Sequence, residues 1–133
     1  MRFLSIYKTV ETHTPPSVEH VTKMGQLIED SMKAGNLLAT EGCLPSALGA
    51  RVRLSNGRIT VTDGPFTETK EVIGGFAVLE ASSKAEAIEL ARRFLEVAGD
   101  GECEIRQIFT APEAVPGDAA TLHGCLHEQY AKS

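Results

Sequence analysis

The chain has 133 residues, of which 42% are hydrophobic and 23% charged, and a formal net charge of -5. That size suits one domain with one core, and the composition shows no disorder, collagen or disulfide-scaffold signature. The acidic balance and scattered Lys and Arg exclude a broad phosphate-binding surface, so neither nucleic acid nor a membrane is an expected partner. In chain order, RFLSIYKT at residues 2 to 9 is rich in strand formers and reads as the first strand. Its apolar piece, Phe3 to Tyr7, is too short for a signal-peptide core or a membrane span. A cytoplasmic location is expected, and Cys43, Cys103 and Cys125 agree with it, being odd in number and without C-x-x-C spacing. Cys43 and Cys103 lie in apolar strand-like runs, where a buried, inert thiol is expected.

After the loop VETHTPP, the Ser17 hydroxyl is placed to cap a helix in which Val18, Val21, Gly25, Ile28 and Met32 recur at helical spacing. Gly35-Asn36 ends that helix, and LLATEGCL at residues 37 to 44 reads as the second strand, stopped by Pro45. RVRLSNGRITVT is two alternating runs joined by Asn56-Gly57, a hairpin signal because both residues tolerate the positive φ of a type I′ turn. Asp63-Gly64-Pro65-Phe66 is a turn, TETKE is a polar, ion-paired segment, and GGFAVLEA is a further buried strand. Ser83-Lys84-Ala85-Glu86 is a capping box opening a second helix, which ends at Gly99-Asp100-Gly101 before a last strand, ECEIRQIF.

Leaving out the central hairpin, the order is βαβ then βαβ, the split plan in which two helices cover one face of a four-stranded antiparallel sheet. The expected fold is ferredoxin-like α+β, with the domain at residues 1–110. Residues 111–133 form a C-terminal extension with a short helix capped by Asp118. Strand alternation puts Phe3, Ser5 and Tyr7 on one face of the sheet and Leu4 and Ile6 on the other, so both faces are partly apolar and the one the helices leave uncovered needs a partner. A homodimer pairing sheet against sheet would bury that face. His123 and His127 stand four apart in the extension without a third ligand, so no metal site is expected, and no P-loop, Rossmann fingerprint or nucleophile elbow is present.

The chain resembles the YCII-related proteins, in particular the branch named for its DGPF sequence. The match is carried by the Tyr7 strand, Ala39-Thr40-Glu41-Gly42 with Leu44-Pro45, Thr62-Asp63-Gly64-Pro65-Phe66 followed by Glu68, Lys70 and Glu71, and Gly74-Gly75-Phe76. The resemblance implies a dimeric α+β barrel and a cleft holding a His-Asp acid-base dyad, which falls here on Asp63 and His20, with His13 as the rival histidine. A carboxylate would fix the imidazole tautomer while the other ring nitrogen moves a proton on the substrate, work that suits an imidazole because it titrates near neutral pH.

Asp63 has a second reading, as a turn residue whose carboxylate accepts its own turn's amides, and His20 has one as a solvated histidine. Gly64, Pro65 and Phe66 read as the structural part of the motif. Tyr7, Glu41 and Arg106 are the candidate substrate-binding residues, Glu41 as a second acid-base group and Arg106 as a clamp for a carboxylate. The function expected is cofactor-independent isomerase- or lyase-like chemistry on a small organic acid or lactone in a cleft near Asp63. The alternative is a non-catalytic dimeric ligand-binding or regulatory module.

Overall fold

The computed structural model describes residues 1–109. The order is β1 (Arg2–Thr9), α1 (Val18–Lys33), β2 (Leu37–Gly42), a 3-10 turn (Ser46–Leu48), β3 (Ala50–Ser55), β4 (Arg58–Asp63), β5 (Val72–Glu80), α2 (Lys84–Ala98) and β6 (Glu102–Gln107). Strands β2, β5, β1 and β6 form one four-stranded sheet in that order, with every pairing antiparallel. This is the ferredoxin-like α+β arrangement. Strands β3 and β4 form a separate two-stranded ribbon. The expected C-terminal helix and the histidines His123 and His127 lie outside the described residues. No helix among the described residues is long and apolar enough to cross a membrane.

Local chemistry sets the boundaries. Ser17 caps α1 by accepting the His20 amide at 3.1 Å, and Gly35, at φ 80°, ends it by turning the chain so that the Asn36 amide reaches the Ser31 carbonyl. Asn56 and Gly57 both take positive φ, 51° and 78°, as the ribbon's tight turn requires. Ser83 accepts the Glu86 amide at 3.1 Å, but the reciprocal half of the capping box is diverted. The Glu86 carboxylate takes the Ser82 hydroxyl at 2.6 Å and the Asn36 amide at 3.3 Å, tying α2 to the end of α1.

The core is small and lies toward one end of the sheet. Phe3, 2% exposed, meets Leu79 in register, and Leu37, Ala81 and Ala87 complete the buried cluster, with Ile28, Leu90 and Ile105 packed on it. Helix α2 buries Ala87 and Ala91 against the sheet, whereas α1 has no fully buried residue. Val18, Val21 and Met32, expected to face inward, are exposed. The inward stripe of α1 is instead His20, Met24, Leu27, Ile28 and Ser31, a rotation favoured by the larger apolar side chains at 24 and 27. Cys43 is also exposed rather than buried, because β2 ends at Gly42.

Candidate functional site

The DGPF turn forms a tight corner at the root of the ribbon. The Gly64 amide donates to the Gly49 carbonyl at 3.0 Å, and the Gly64-Pro65 bond is cis. A Cβ on Gly64 would stand 1.7 Å from the Ser46 carbonyl oxygen, so the main chain itself occupies the space of a side chain. Ser46 is the hub of the corner. Its hydroxyl donates to Glu11 Oε2 at 2.7 Å and accepts the Phe66 amide at 3.2 Å, while its own amide donates to Glu11 Oε1. The Arg51 guanidinium lies 3.9 Å from the Phe66 ring centroid and pairs with Glu68. Gly64 and Phe66 therefore do structural work, and the loop after β1 supplies the anion that anchors it.

The two hydrogen bonds from Ser46, backbone first and hydroxyl second, hold the Glu11 carboxyl below its ordinary value of 4.5. A depressed carboxylate stabilises the fold above its unfolded value, and the contribution is lost as pH falls through the folded one. The stability advantage of the native chain over Glu11→Gln should therefore be present at neutral pH and shrink in the acid range below about 4.5. Urea unfolding at a series of pH values checks this, and a constant difference across that range would show that the charge of Glu11 is not what anchors the corner.

A different part of the molecule holds the cavity. An open cleft of about 380 Å³ lies between α1, which buries no residue completely, α2 and the sheet. Its polar groups include His20 and Ser31 from α1 and Arg93 from α2, and Met24, Leu27, Leu90 and Phe94 contribute apolar wall. At the end of the sheet away from Phe3, Tyr7 pairs with Gly75, which pairs with Gly42, so two neighbouring strands put no side chain into the space beside the tyrosine. A Cβ on Gly75 would lie 2.7 Å from the Glu41 main-chain oxygen and push β2 away. The Tyr7 ring packs edge-on against Phe94 with centroids 5.1 Å apart, and its hydroxyl donates to the Asp100 carbonyl at 3.1 Å. The Tyr7 hydroxyl is therefore engaged, and the ring is what Tyr7 offers the cleft.

A family model for the YCII-related domain matches residues 1–112. The chain belongs to the YCII-related family. A relative, an uncharacterized protein of Rhizobium meliloti (strain 1021), is 39% identical over 61 residues, which span 46% of this chain and 49% of that protein. The chain thus matches about half the length of that relative.

In this YCII-related chain, Tyr7, His20 and Glu41 line the cleft, while Asp63 and Arg106 do not. Among the described residues Asp63 makes no ion pair with a histidine, and its turn's amides are used elsewhere, the Gly64 amide by Gly49 and the Phe66 amide by Ser46. Arg106 lies on β6 beside Leu4, on the sheet face away from the helices, and pairs with Glu104 at 3.4 Å. Glu104 is held below its ordinary range by Lys8, 2.9 Å away, and then by Arg106. Alternation puts Glu41 on that far face as well, opposite Phe76, while Thr40 faces the helices opposite Ala77.

Burial raises the Cys103 thiol above its usual range, with a Ser5 hydrogen bond opposing the shift, which disfavours the reactive thiolate. Among the described residues no group of three His, Cys, Asp or Glu is placed to hold a metal ion. Sequence reasoning missed Glu11, Ser46 and Arg93. The first two carry no local motif, but Arg93 was findable, since it stands three residues from Leu90 and beside Phe94 on the α2 stripe.

Proposed function

We propose that this YCII-related chain binds a small organic acid or lactone in the cleft between the helices and the sheet, with His20 as the group that moves a proton on it. The observation that carries this is the position of His20 on the inward stripe of α1, facing a cavity otherwise dominated by apolar wall. An imidazole beside a largely apolar wall has what general acid-base catalysis needs, a proton carrier within reach of a bound carbon acid or lactone. Nothing in this chemistry calls for a cofactor. Ligand pockets run to about 300–1,000 Å³, so this cleft suits a small metabolite.

The DGPF run supports membership of the branch named for it, and a homodimer, the dimeric α+β barrel, belongs to the same reading. Asp63 joins it through association. It stands on the same ribbon face as Val52, Leu54, Ile59 and Val61, so a second copy seated there would meet its carboxylate. The second reading, a ligand-binding or regulatory module without turnover, is favoured by one fact: among the described residues the His20 ring donates to no orienting carboxylate.

A screen of small organic acids and lactones by thermal shift and by proton-exchange NMR separates the two. For a ligand that turns over, His20→Gln should lower the rate by about 10²–10⁴ with unchanged melting temperature. Binding without exchange or turnover in the native chain would favour the module. Turnover that survives His20→Gln would remove His20 from the chemistry.

A further inference from the structure

We infer that Arg93 is the anion clamp of the cleft and that its ligand is an amphiphilic monocarboxylate, a carboxylate head on a hydrocarbon or aromatic body. The inference rests on the cleft reading above and adds the class of ligand. Two observations converge on it. The wall is hydrocarbon and ring over most of its area, from Met24, Leu27 and Ile28 on one helix and Leu90, Phe94 and Ala98 on the other. Among the lining residues is one permanent cation, Arg93, its side chain 59% exposed, whose only ion pair among the described residues is a long one, 3.9 Å from its Nε to Glu89 Oε1.

That Glu89 carboxylate is already engaged. Arg92 donates to both of its oxygens, at 3.0 Å through Nε and through Nη2 as well, and holds it below the ordinary carboxylate range. Arg92 also reaches Glu96 at 2.6 Å. Arg93 is therefore left with the terminal nitrogens of its fork available, and a planar guanidinium binds a carboxylate through two parallel hydrogen bonds. The acidic lining residue Glu41 does not oppose this, because strand alternation turns its side chain to the other sheet face and its main-chain oxygen is what lies against Gly75.

The size of the space limits the body. At the ~30 Å³ that a water molecule takes, 380 Å³ holds about a dozen heavy atoms. A dicarboxylate or a sugar acid of that size would leave polar groups facing the walls of Leu27, Leu90 and Phe94 without partners, which disfavours them. His20 shares the cleft with Arg93, so a head group fixed by the guanidinium presents the rest of the ligand to the imidazole and to the apolar wall.

Calorimetric titration of the full chain with octanoate, 1-octanol and octylamine tests this, with His20, Met24 and Phe94 followed by NMR to locate binding. Octanoate should bind at least about tenfold more tightly than the alcohol or the amine, the value of a charge-assisted hydrogen bond to an ionised head. Arg93→Gln should abolish that preference while leaving 1-octanol affinity within about twofold, and Arg93→Lys should restore part of it. Equal binding of octanoate and 1-octanol by the native chain would overturn the clamp while leaving the cleft as an apolar site. A preference that persists in Arg93→Gln would also overturn it. Failure of all three probes to bind would remove the cleft reading and the clamp together.

Discussion

Gly64→Ala should destabilise the fold by about 3 kcal/mol or more, because inserting a methyl group against fixed main chain belongs at or above the upper end of overpacking costs. The new Cβ would lie 1.7 Å from the Ser46 carbonyl oxygen and 2.6 Å from its carbon. Neither is the end of a flexible side chain, so relief requires the corner to open. Opening it breaks the Ser46 hydrogen bonds to Glu11 and Phe66 and releases the ribbon from the body. The melting temperature should fall by roughly 10 °C or more for a domain of this size. Gly25→Ala is the control. It adds the same methyl group within α1, where nothing lies within 4 Å, and should raise stability by about 0.5–1 kcal/mol. If both variants melt alike, the corner is not the rigid element described.

In the homodimer proposed above the ribbon face is part of the pairing, and a charge placed on it should split the dimer into single chains. Register pairs Val52 with Val61 and Leu54 with Ile59, so all four share one face, and they are 62% to 70% exposed. Arg51, Arg53 and Arg58 stand on the opposite face, which leaves the apolar face free of cations along its length. An isolated two-stranded ribbon is marginal in water, and a self-complementary patch is what a two-fold axis pairs. Fully burying a Val, Leu or Ile contributes about 1.5–3 kcal/mol, so four of them at two-thirds exposure are worth ~4–8 kcal/mol from each chain. The sum from two chains is comparable with the ~4–15 kcal/mol cost of association. Sedimentation at micromolar concentration should show two chains for the native protein and one for Ile59→Lys, with the same circular dichroism. A native protein that sediments as one chain contradicts the pairing.

Much of the fold was legible because its signals are local. Ser17, Ser83 and Asn56-Gly57 act within three or four residues of themselves, and the structure has caps at both serines and a tight turn at Asn56-Gly57. The rotation of α1 was harder to see, since Val18 and Val21 fit a helical stripe as well as Met24 and Leu27 do. Only packing against α2 and the sheet decides between them. The same rotation puts His20 in the cleft. The DGPF corner was recognisable as a structural turn, but its anchor was not, because Glu11 and Ser46 are 35 residues apart and meet only in the folded chain. Arg106 looked like the carboxylate clamp on charge alone, whereas the register of β6 puts it on the far face and Arg93 beside the cavity.

The proposed ligand site is the cleft under α1, and the DGPF corner holds the ribbon in place. Chemical-shift mapping of the labelled chain with octanoate tests this most directly, because the two places share no residue. Shifts should cluster at Tyr7, His20, Met24, Arg93 and Phe94 and saturate together, with Ser46, Asp63 and Phe66 unmoved. Shifts centred on Asp63 and Phe66, with His20 and Phe94 unmoved, would contradict it.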